Sequence, residues 1–295
     1  MYEDIKKNKI KTGAVVFGFL LMITLIVYYI CNALDFGEAS IIVALIFSVI
    51  STIVTYYNCD KIVLASVDAR PATREEDLKL TNILDALMVA SGLEHKPRLY
   101  VINSAQPNAF ATGRNPEHAV ICVTTALLEK LNYYELEGVI AHEMSHIKNY
   151  DIMLSAVISV MVGFVVMLSD MFTRRLYHRR NNDDDRNGNA ILMLIGLIFL
   201  ILSPIVAKIM QLAISRRREF LADATAVQFT RNPDGLISAL KKISEDDNEL
   251  DVASDSNAHM YIESPFKNKN QKEKGSIFDT HPPVSARIEA LEKLK

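Results

Sequence analysis

The sequence predicts an α+β fold, mostly helical, in an integral membrane protein with about four hydrophobic helices and a water-soluble part that contains a small sheet. Three observations predict it. Half of the 295 residues are hydrophobic and only 23% are charged. The hydrophobic residues gather into blocks of about 20, the length that a helix needs to cross a bilayer. Between these blocks, charged helical patterns alternate with short strand-like runs.

Charge and cysteine content exclude several classes of protein. The net charge is −3 and the sequence pI is about 6.2, so no basic excess is present to neutralise phosphates, and we expect no nucleic-acid partner. Three scattered cysteines, Cys31, Cys59 and Cys122, provide neither a disulfide framework nor the C-x-x-C spacing of a zinc ribbon.

Residues 1–57 predict an N-terminal membrane hairpin of two transmembrane helices. The uncharged block 13–31 follows four lysines between positions 6 and 11, and no cleavage site follows it, which indicates an uncleaved anchor. The second block, 41–57, comes after a linker without Lys or Arg. Because positively charged flanks stay in the cytoplasm, we expect the N-terminus there and a return to the same side before residue 58.

Residues 58–151 predict the first half of a soluble domain. A charged helical pattern comes first, followed by apolar or alternating runs at 98–102, 108–112 and 118–123. The turn sequence GRNP at 113–116 separates the last two runs, so they predict a hairpin within a small sheet.

Residues 152–214 predict a second hydrophobic helical hairpin, formed by blocks 152–171 and 190–214, and residues 215–295 the second half of the soluble domain. The linker of the hairpin carries five arginines between positions 174 and 186, where the positive-inside rule expects few. Whether these two helices span the bilayer fully, enter it shallowly or pack against protein therefore stays open.

The strongest local motif is H-E-M-S-H at residues 142–146. On a helix, His142 and His146 differ by only about 40° around the axis, so both imidazoles can face one metal ion. Glu143 lies about 100° from His142, which suits a general base beside the ion. Two surface histidines on an ordinary helix are the alternative interpretation.

A catalytic zinc ion takes three protein ligands, so a third ligand must come from elsewhere in the chain. The best candidate is Glu219, in the helical pattern RRREFLADA. Asp223 lies four residues later on the same face and is placed to orient a ligand histidine through its second ring nitrogen. A solvated pair of acidic residues is the alternative.

Together these residues resemble the HtpX-like membrane zinc metalloproteases, which are related to the prenyl-protein (CAAX) proteases. The shared features are H-E-M-S-H followed by Asp151, a hydrophobic pair, E-F-L-A-D, and T-H-P-P-V-S-A-R-I at 280–288, in the same order over nearly the whole chain. The resemblance implies a zincin-like catalytic domain with one Zn²⁺ per subunit. The zinc ligands that it implies are His142, His146 and Glu219. The general base that it implies is Glu143.

The resemblance also implies that a run of four residues forms an edge strand holding the substrate backbone extended beside the zinc: Asn108, Ala109, Phe110 and Ala111. A core strand that ends in a turn is the alternative.

Three further residues are candidates for supporting roles. His281 precedes two prolines that fix the local backbone, and it is expected to stabilise the oxyanion or, alternatively, to cap a helix. Arg287 is expected to bind an acidic neighbour or orient the site. Asp151 is expected to brace the helix of the H-E-M-S-H motif or merely to end it.

These expectations describe a zinc-dependent endopeptidase, multi-pass in a bacterial plasma membrane, with its N-terminus and catalytic domain in the cytoplasm. His146 precedes the third hydrophobic block and Glu219 follows the fourth, so catalysis is expected near the bilayer surface. The resemblance implies substrates that are misfolded or damaged membrane proteins, or unfolded polypeptides, as in quality control under stress. The oligomeric state stays open. The alternatives are a zinc hydrolase of prenylated or lipid-associated peptides and a non-enzymatic membrane scaffold.

Overall fold

The computed structural model describes residues 2–33, 37–179, 216–254, 256–266 and 282–295. The helices of these ranges are α1 (Tyr2–Ala33), α2 (Ala39–Ser66), α3 (Arg74–Ser91), α4 (Thr125–Lys130), α5 (Tyr133–Lys148), α6 (Asp151–Arg179), α7 (Arg216–Thr230), α8 (Pro233–Ser244) and α9 (Val284–Glu292). The strands are β1 (Arg70–Pro71), β2 (Arg98–Ile102), β3 (Ala109–Thr112) and β4 (Val120–Thr124). The predicted helix over 190–214 lies outside the described residues.

Helices α1 and α2 pack against each other as an antiparallel pair. The stretch Ile5–Tyr29 and the whole of α2 are long and apolar enough to cross a membrane. Their outward faces expose large apolar side chains, and Thr24 and Ser48 share a hydrogen bond of 2.7 Å between the two helices. Both helices are longer than the apolar blocks 13–31 and 41–57, because hydropathy marks only the lipid-spanning part and the lysine-rich flank also favours helix.

The third apolar helix, α6, continues from α5 through a sharp bend. The two helix axes differ by 84°, and Tyr150 at the junction adopts the left-handed region with φ +60°. Side chains such as Leu154 and Ile158 pack against Phe19 and Ile23 of α1. The described ranges therefore contain two candidate spans, or three if the bent pair counts as one, against the four hydrophobic helices expected.

The four-stranded sheet of the described residues has the order β1-β2-β4-β3. Strands β2 and β4 are parallel, while β3 pairs with β4 and β1 with β2 in antiparallel register, so the predicted hairpin is present. One face packs on α3 and α5, and the other on the end of α2 and on Tyr261. Because both faces are covered, the strands are apolar on both sides and β3 presents only its outer edge.

Helix α5 runs through the middle of the soluble part. Its first turn is closed by a capping box in which Asn132 and Glu135 each accept a hydrogen bond from the other's backbone N–H. Gly138 lets α8 approach closely, because a Cβ at this position would lie 2.8 Å from the backbone nitrogen of Leu236. The central position of α5 buries most of its residues, including His142 to Ser145 of the H-E-M-S-H motif, whereas His146 is partly exposed.

Candidate active site

Two helices that are far apart in sequence bring together three side chains that could hold a metal ion. On α5, the Nε2 atoms of His142 and His146 face each other at 3.2 Å. On α7, the two carboxylate oxygens of Glu219 each lie 3.7 Å from one of these nitrogens. One ligand atom from each of the three residues lies within 4.8 Å of the others. The structure therefore joins the motif helix and Glu219 in one cluster, as the sequence predicts.

The other ring nitrogens are held by carboxylates. Nδ1 of His142 lies 2.9 Å from Asp223 Oδ1, and Nδ1 of His146 lies 3.0 Å from Asp151 Oδ2. This arrangement fixes each ring and leaves both Nε2 atoms directed into the cluster. Tetrahedral zinc with bonds of about 2.0–2.1 Å places its ligand atoms roughly 3.3 Å apart, so the two imidazoles fit such an ion without rearrangement.

The electrostatics of the cluster favour positive charge. Burial opposes a charge on His142, but hydrogen bonds to the Asp223 and Glu219 carboxylates outweigh it and raise the pKa to about 9. For His146, burial is likewise outweighed by Asp151, and the pKa is raised. The carboxylates therefore draw positive charge onto the imidazoles, at the position where a divalent cation would supply it.

Glu143 is the neighbour of the first histidine and lines the same cavity. Its side chain is buried, and burial raises the pKa of the carboxyl group above its ordinary value. A carboxylate with a raised pKa in a closed site is suited to accept and return a proton.

Arg287 of α9 connects the C-terminal part of the chain to the cluster. It is fully buried and donates from Nε and Nη2 to the two oxygens of Asp223 at 2.9 and 2.7 Å, and from Nη1 to the Ile262 carbonyl at 2.8 Å. Burial alone would raise the pKa of Asp223, but Arg287 and the His142 ring hold it at about 2. Arg287 thus binds an acidic neighbour that in turn orients a site histidine.

Asp151 has a partner that the sequence does not reveal. Asn8 of α1 is buried, and its Nδ2 donates to Asp151 Oδ1 at 2.7 Å and to the Asn149 carbonyl at 3.1 Å. The first membrane helix therefore contacts the group that holds His146. No pattern in a single sequence distinguishes Asn8 from other polar residues that flank an apolar block.

The cluster opens into a cavity of only about 30 Å³. A chain segment, His259–Ile262, forms part of the cavity wall opposite the H-E-M-S-H helix. The Ile262 N–H donates to the Ala109 carbonyl at 2.9 Å, and Tyr261 packs edge-on against Phe110 with ring centroids 5.2 Å apart. The segment therefore occupies the outer edge of β3 at this point.

The remaining predicted site residues are the four of the proposed substrate strand, 108–111, and His281. Ala111 lines the cavity, whereas Asn108 donates to the Glu263 carbonyl at 3.0 Å and lies behind the His259–Ile262 segment. Ala109 and Phe110 are buried in the sheet. His281 lies outside the described residues.

Comparison with known proteins places the chain in a family. Residues 74–295, which include every residue of the cluster, match the family model described as Peptidase family M48. The chain belongs to this family. It is thus a membrane-associated metalloendopeptidase, and the resemblance found in the sequence motifs is confirmed.

Curated relatives match the M48 peptidase over its whole length. The chain is 43% identical over 298 residues to a Protease HtpX homolog from Thermoanaerobacter pseudethanolicus, covering 100% of this chain and 98% of the relative. It is 38% identical over 310 residues to a Protease HtpX homolog from Listeria monocytogenes serotype 4a, covering 100% of both.

A solved structure shares the fold. The crystal structure of S. mikatae Ste24p superimposes with a TM-score of 0.51 at 18% sequence identity. The alignment covers 99% of this chain but 66% of that one, so the M48 peptidase spans slightly less than two thirds of the length of Ste24p. The likeness confirms a mostly helical fold with a small sheet.

Proposed function

We propose that this M48 peptidase is a zinc-dependent endopeptidase that holds one Zn²⁺ per subunit through His142, His146 and Glu219. The observation that supports the proposal is the convergence of two Nε2 atoms and one carboxylate, each histidine being fixed from behind by an aspartate. When bound, zinc supplies Lewis acidity that polarises a carbonyl and lowers the pKa of water.

The protein side chains supply the proton transfers and the positioning. Glu143 accepts a proton from the attacking water and delivers it to the departing amine, which the raised pKa of its carboxyl group favours. Asp223 and Asp151 keep the two imidazoles oriented, and Arg287 keeps Asp223 ionised. His281 is our proposed donor to the oxyanion.

The proposed substrate site is the outer edge of β3, from Asn108 to Ala111. Its position at the edge of the sheet and the contact of Ala111 with the cavity support this proposal. An extended polypeptide there would gain main-chain hydrogen bonds with little demand on its sequence. Because a cavity of about 30 Å³ holds roughly one water molecule, the His259–Ile262 segment must move aside before a peptide enters.

We further propose that the enzyme is multi-pass in a bacterial plasma membrane, with its N-terminus and catalytic domain in the cytoplasm. The proposed substrates are misfolded or damaged membrane proteins, as in quality control under stress. Support comes from the lysine-rich start of α1 and from the short distance along the chain between His146 and the apolar helix α6.

The substitution Glu143→Gln tests the proposed chemistry. We expect it to abolish cleavage of casein and of the enzyme itself, while zinc content remains near one ion per chain, because the amide cannot accept the proton. Glu137→Gln on the same helix is the matched control and should retain activity. Residual cleavage by purified Glu143→Gln protein would show that the base is another residue.

Zinc analysis of the variant Glu219→Ala tests the ligand set. We expect a loss of zinc affinity relative to the wild type, and an unchanged affinity and stoichiometry would remove Glu219 from the site. Assays with an unfolded protein and with a prenylated peptide separate the two substrate classes. Preference for the prenylated peptide would favour the alternative of a hydrolase for lipidated peptides.

A further inference from the structure

A second and much larger cavity lies where the membrane helices meet the soluble part. Its volume is about 640 Å³, and its walls come from α1, α2, the turn between β3 and β4, and the bend between α5 and α6. This cavity is separate from the cluster of His142, His146 and Glu219, because it shares no lining residue with the cavity at that cluster. A space of this size accommodates the polar head of a lipid together with the start of its chains.

Two cations, Lys9 and Arg114, face this cavity. Lys9 Nζ lies 4.3 Å above the ring of Tyr150, and the Arg114 guanidinium lies 5.2 Å from the ring of Tyr57 and donates to that residue's carbonyl at 2.9 Å. Arg114 also contacts the His118 ring. None of the residues that line the cavity is acidic, and within the described ranges neither cation forms an ion pair with a carboxylate. The cavity therefore has the charge to hold an anion.

The wall of the cavity also contains the buried hydroxyl group of Thr52. Thr52 of α2 is only 8% exposed, and its Oγ1 forms no hydrogen bond with any residue that the structure describes. Thr12 on the facing helix donates its own hydroxyl to the Asn8 carbonyl at 2.9 Å. A buried hydroxyl in an apolar wall requires a hydrogen-bond partner, and an oxygen-rich ligand would supply it.

The level of the cavity matches the polar surface of a bilayer. Tyr56 and Tyr57 stand at the end of the apolar part of α2, where aromatic side chains usually mark the interface. Below them, Val16 and the half-exposed Ile53 lead from the cavity onto the lipid-facing surface. The cavity is thus cationic at one end and apolar at the other.

We propose that this cavity binds one anionic phospholipid. Its phosphate would lie between Lys9 and Arg114, an ester or glycerol oxygen would accept from Thr52, and the acyl chains would follow Val16 and Ile53. Basic pockets between membrane helices are suited to anionic head groups. A zwitterionic lipid fits less well, because its ammonium group would meet two cations and no carboxylate.

The test is lipid binding by the full-length, delipidated protein in detergent, measured by native mass spectrometry and by thermal stability. We expect phosphatidylglycerol to bind one-to-one and to raise the Tm, since a ligand of the native state stabilises it. We expect phosphatidylcholine to bind about tenfold more weakly. Equal binding of the two lipids would overturn the proposal, as would displacement of phosphatidylglycerol by millimolar inorganic phosphate, which would indicate a site for free phosphate.

Variants locate the site. The double variant Lys9→Gln/Arg114→Gln should lose about tenfold or more in affinity for phosphatidylglycerol, and Thr52→Val should also weaken binding. Lys11→Gln is the matched control, because Lys11 is exposed on the same helix but does not line the cavity. An equal loss in Lys11→Gln would show general attraction to anionic lipid and refute a specific site. Retention of binding in the double variant, with an unchanged circular dichroism spectrum, would refute it as well.

Discussion

Arg287 is a buried charge whose only acidic partner among its described hydrogen bonds is Asp223, and both side chains are almost completely inaccessible to water. Removing one member of a buried ion pair leaves the other without compensation, which typically costs about 3–5 kcal/mol. We therefore expect Arg287→Met to lower the free energy of unfolding by that amount and to impair activity. Urea denaturation of the purified protein in detergent measures the effect.

The control for Arg287 is the residue that caps the C-terminal end of the same helix. Lys293 forms an exposed pair with Glu289 at 2.7 Å, and both side chains are 71% exposed. Lys293→Met should change stability by less than about 1 kcal/mol. The double variant Arg287→Met/Asp223→Leu should regain stability without activity, because no charge is left unpaired but His142 has lost its orienting carboxylate. A stable and active Arg287→Met protein would contradict this account.

Glu76 makes stability depend on pH at the start of α3. Hydrogen bonds from the Arg70 guanidinium, both 2.8 Å, and from the Thr73 backbone N–H lower the pKa of this carboxyl to about 2. The folded-state pKa lies below the unfolded value of about 4.3, so the carboxylate stabilises the protein above that pH. The stabilisation is lost as the pH falls towards 2.

We therefore expect Glu76→Gln to reduce stability by about 1 kcal/mol at pH 7. The difference in Tm between wild type and variant should shrink as the pH falls from 4.5 to 3. Thermal unfolding across this pH range measures it, with the exposed neighbour Glu75→Gln as the control. A difference that is independent of pH would rule out the ionised carboxylate as its source.

At the scale of elements, the contact between α5 and α8 depends on Gly138. Alanine normally favours a helix over glycine by roughly 0.5–1 kcal/mol. Here its Cβ would lie 2.8 and 2.9 Å from the backbone N and Cα of Leu236, which cannot move as a side chain could. We expect Gly138→Ala to destabilise the protein by about 1–3 kcal/mol, measured by its Tm.

Gly18 of α1 provides the matched substitution. No neighbouring atom lies within 4 Å of the position where its Cβ would be, so Gly18→Ala should be neutral or slightly stabilising. Equal stabilisation by the two substitutions would mean that α8 does not constrain α5.

The elements differ in how far sequence predicts them. The apolar patterns predict the strand runs, and the four-residue spacing of His142 and His146 fixes their common direction on any helix. The bend after α5 depends on Tyr150, whose backbone adopts the left-handed region. A tyrosine rarely adopts this conformation, so the sequence does not predict the bend. The closeness of Ile262 to β3 depends on a loop with no periodic pattern of its own, so tertiary packing alone determines it.

At the scale of the whole molecule, helix α1 is connected through Asp151 to the cluster formed by His142, His146 and Glu219. Asn8 of α1 donates to Asp151, which holds His146, so removing that donor should loosen the histidine. We expect Asn8→Ala to weaken zinc binding by up to about tenfold, as other groups behind metal ligands do. Competition with a chromogenic chelator measures the affinity.

Asn32→Ala, at the other end of the same helix and exposed, is the control for the Asn8 contact. Its zinc affinity should equal that of the wild type. Equal affinity in Asn8→Ala would mean that Asp151 keeps its position without α1. The four-residue spacing in H-E-M-S-H predicts that His142 and His146 face one ion, but it does not predict the contact of Asn8 with Asp151, which joins residues 143 positions apart.

The order in which the chain is synthesised gives these long-range contacts a further consequence. Asn8 is translated before α5, α7 and α8, and Arg287 is translated after them. A nascent chain that has reached only α8 still lacks the guanidinium that keeps Asp223 ionised behind His142. We therefore expect the buried ion pair behind His142 to form only late in translation, after α5, α7 and α8 have been made.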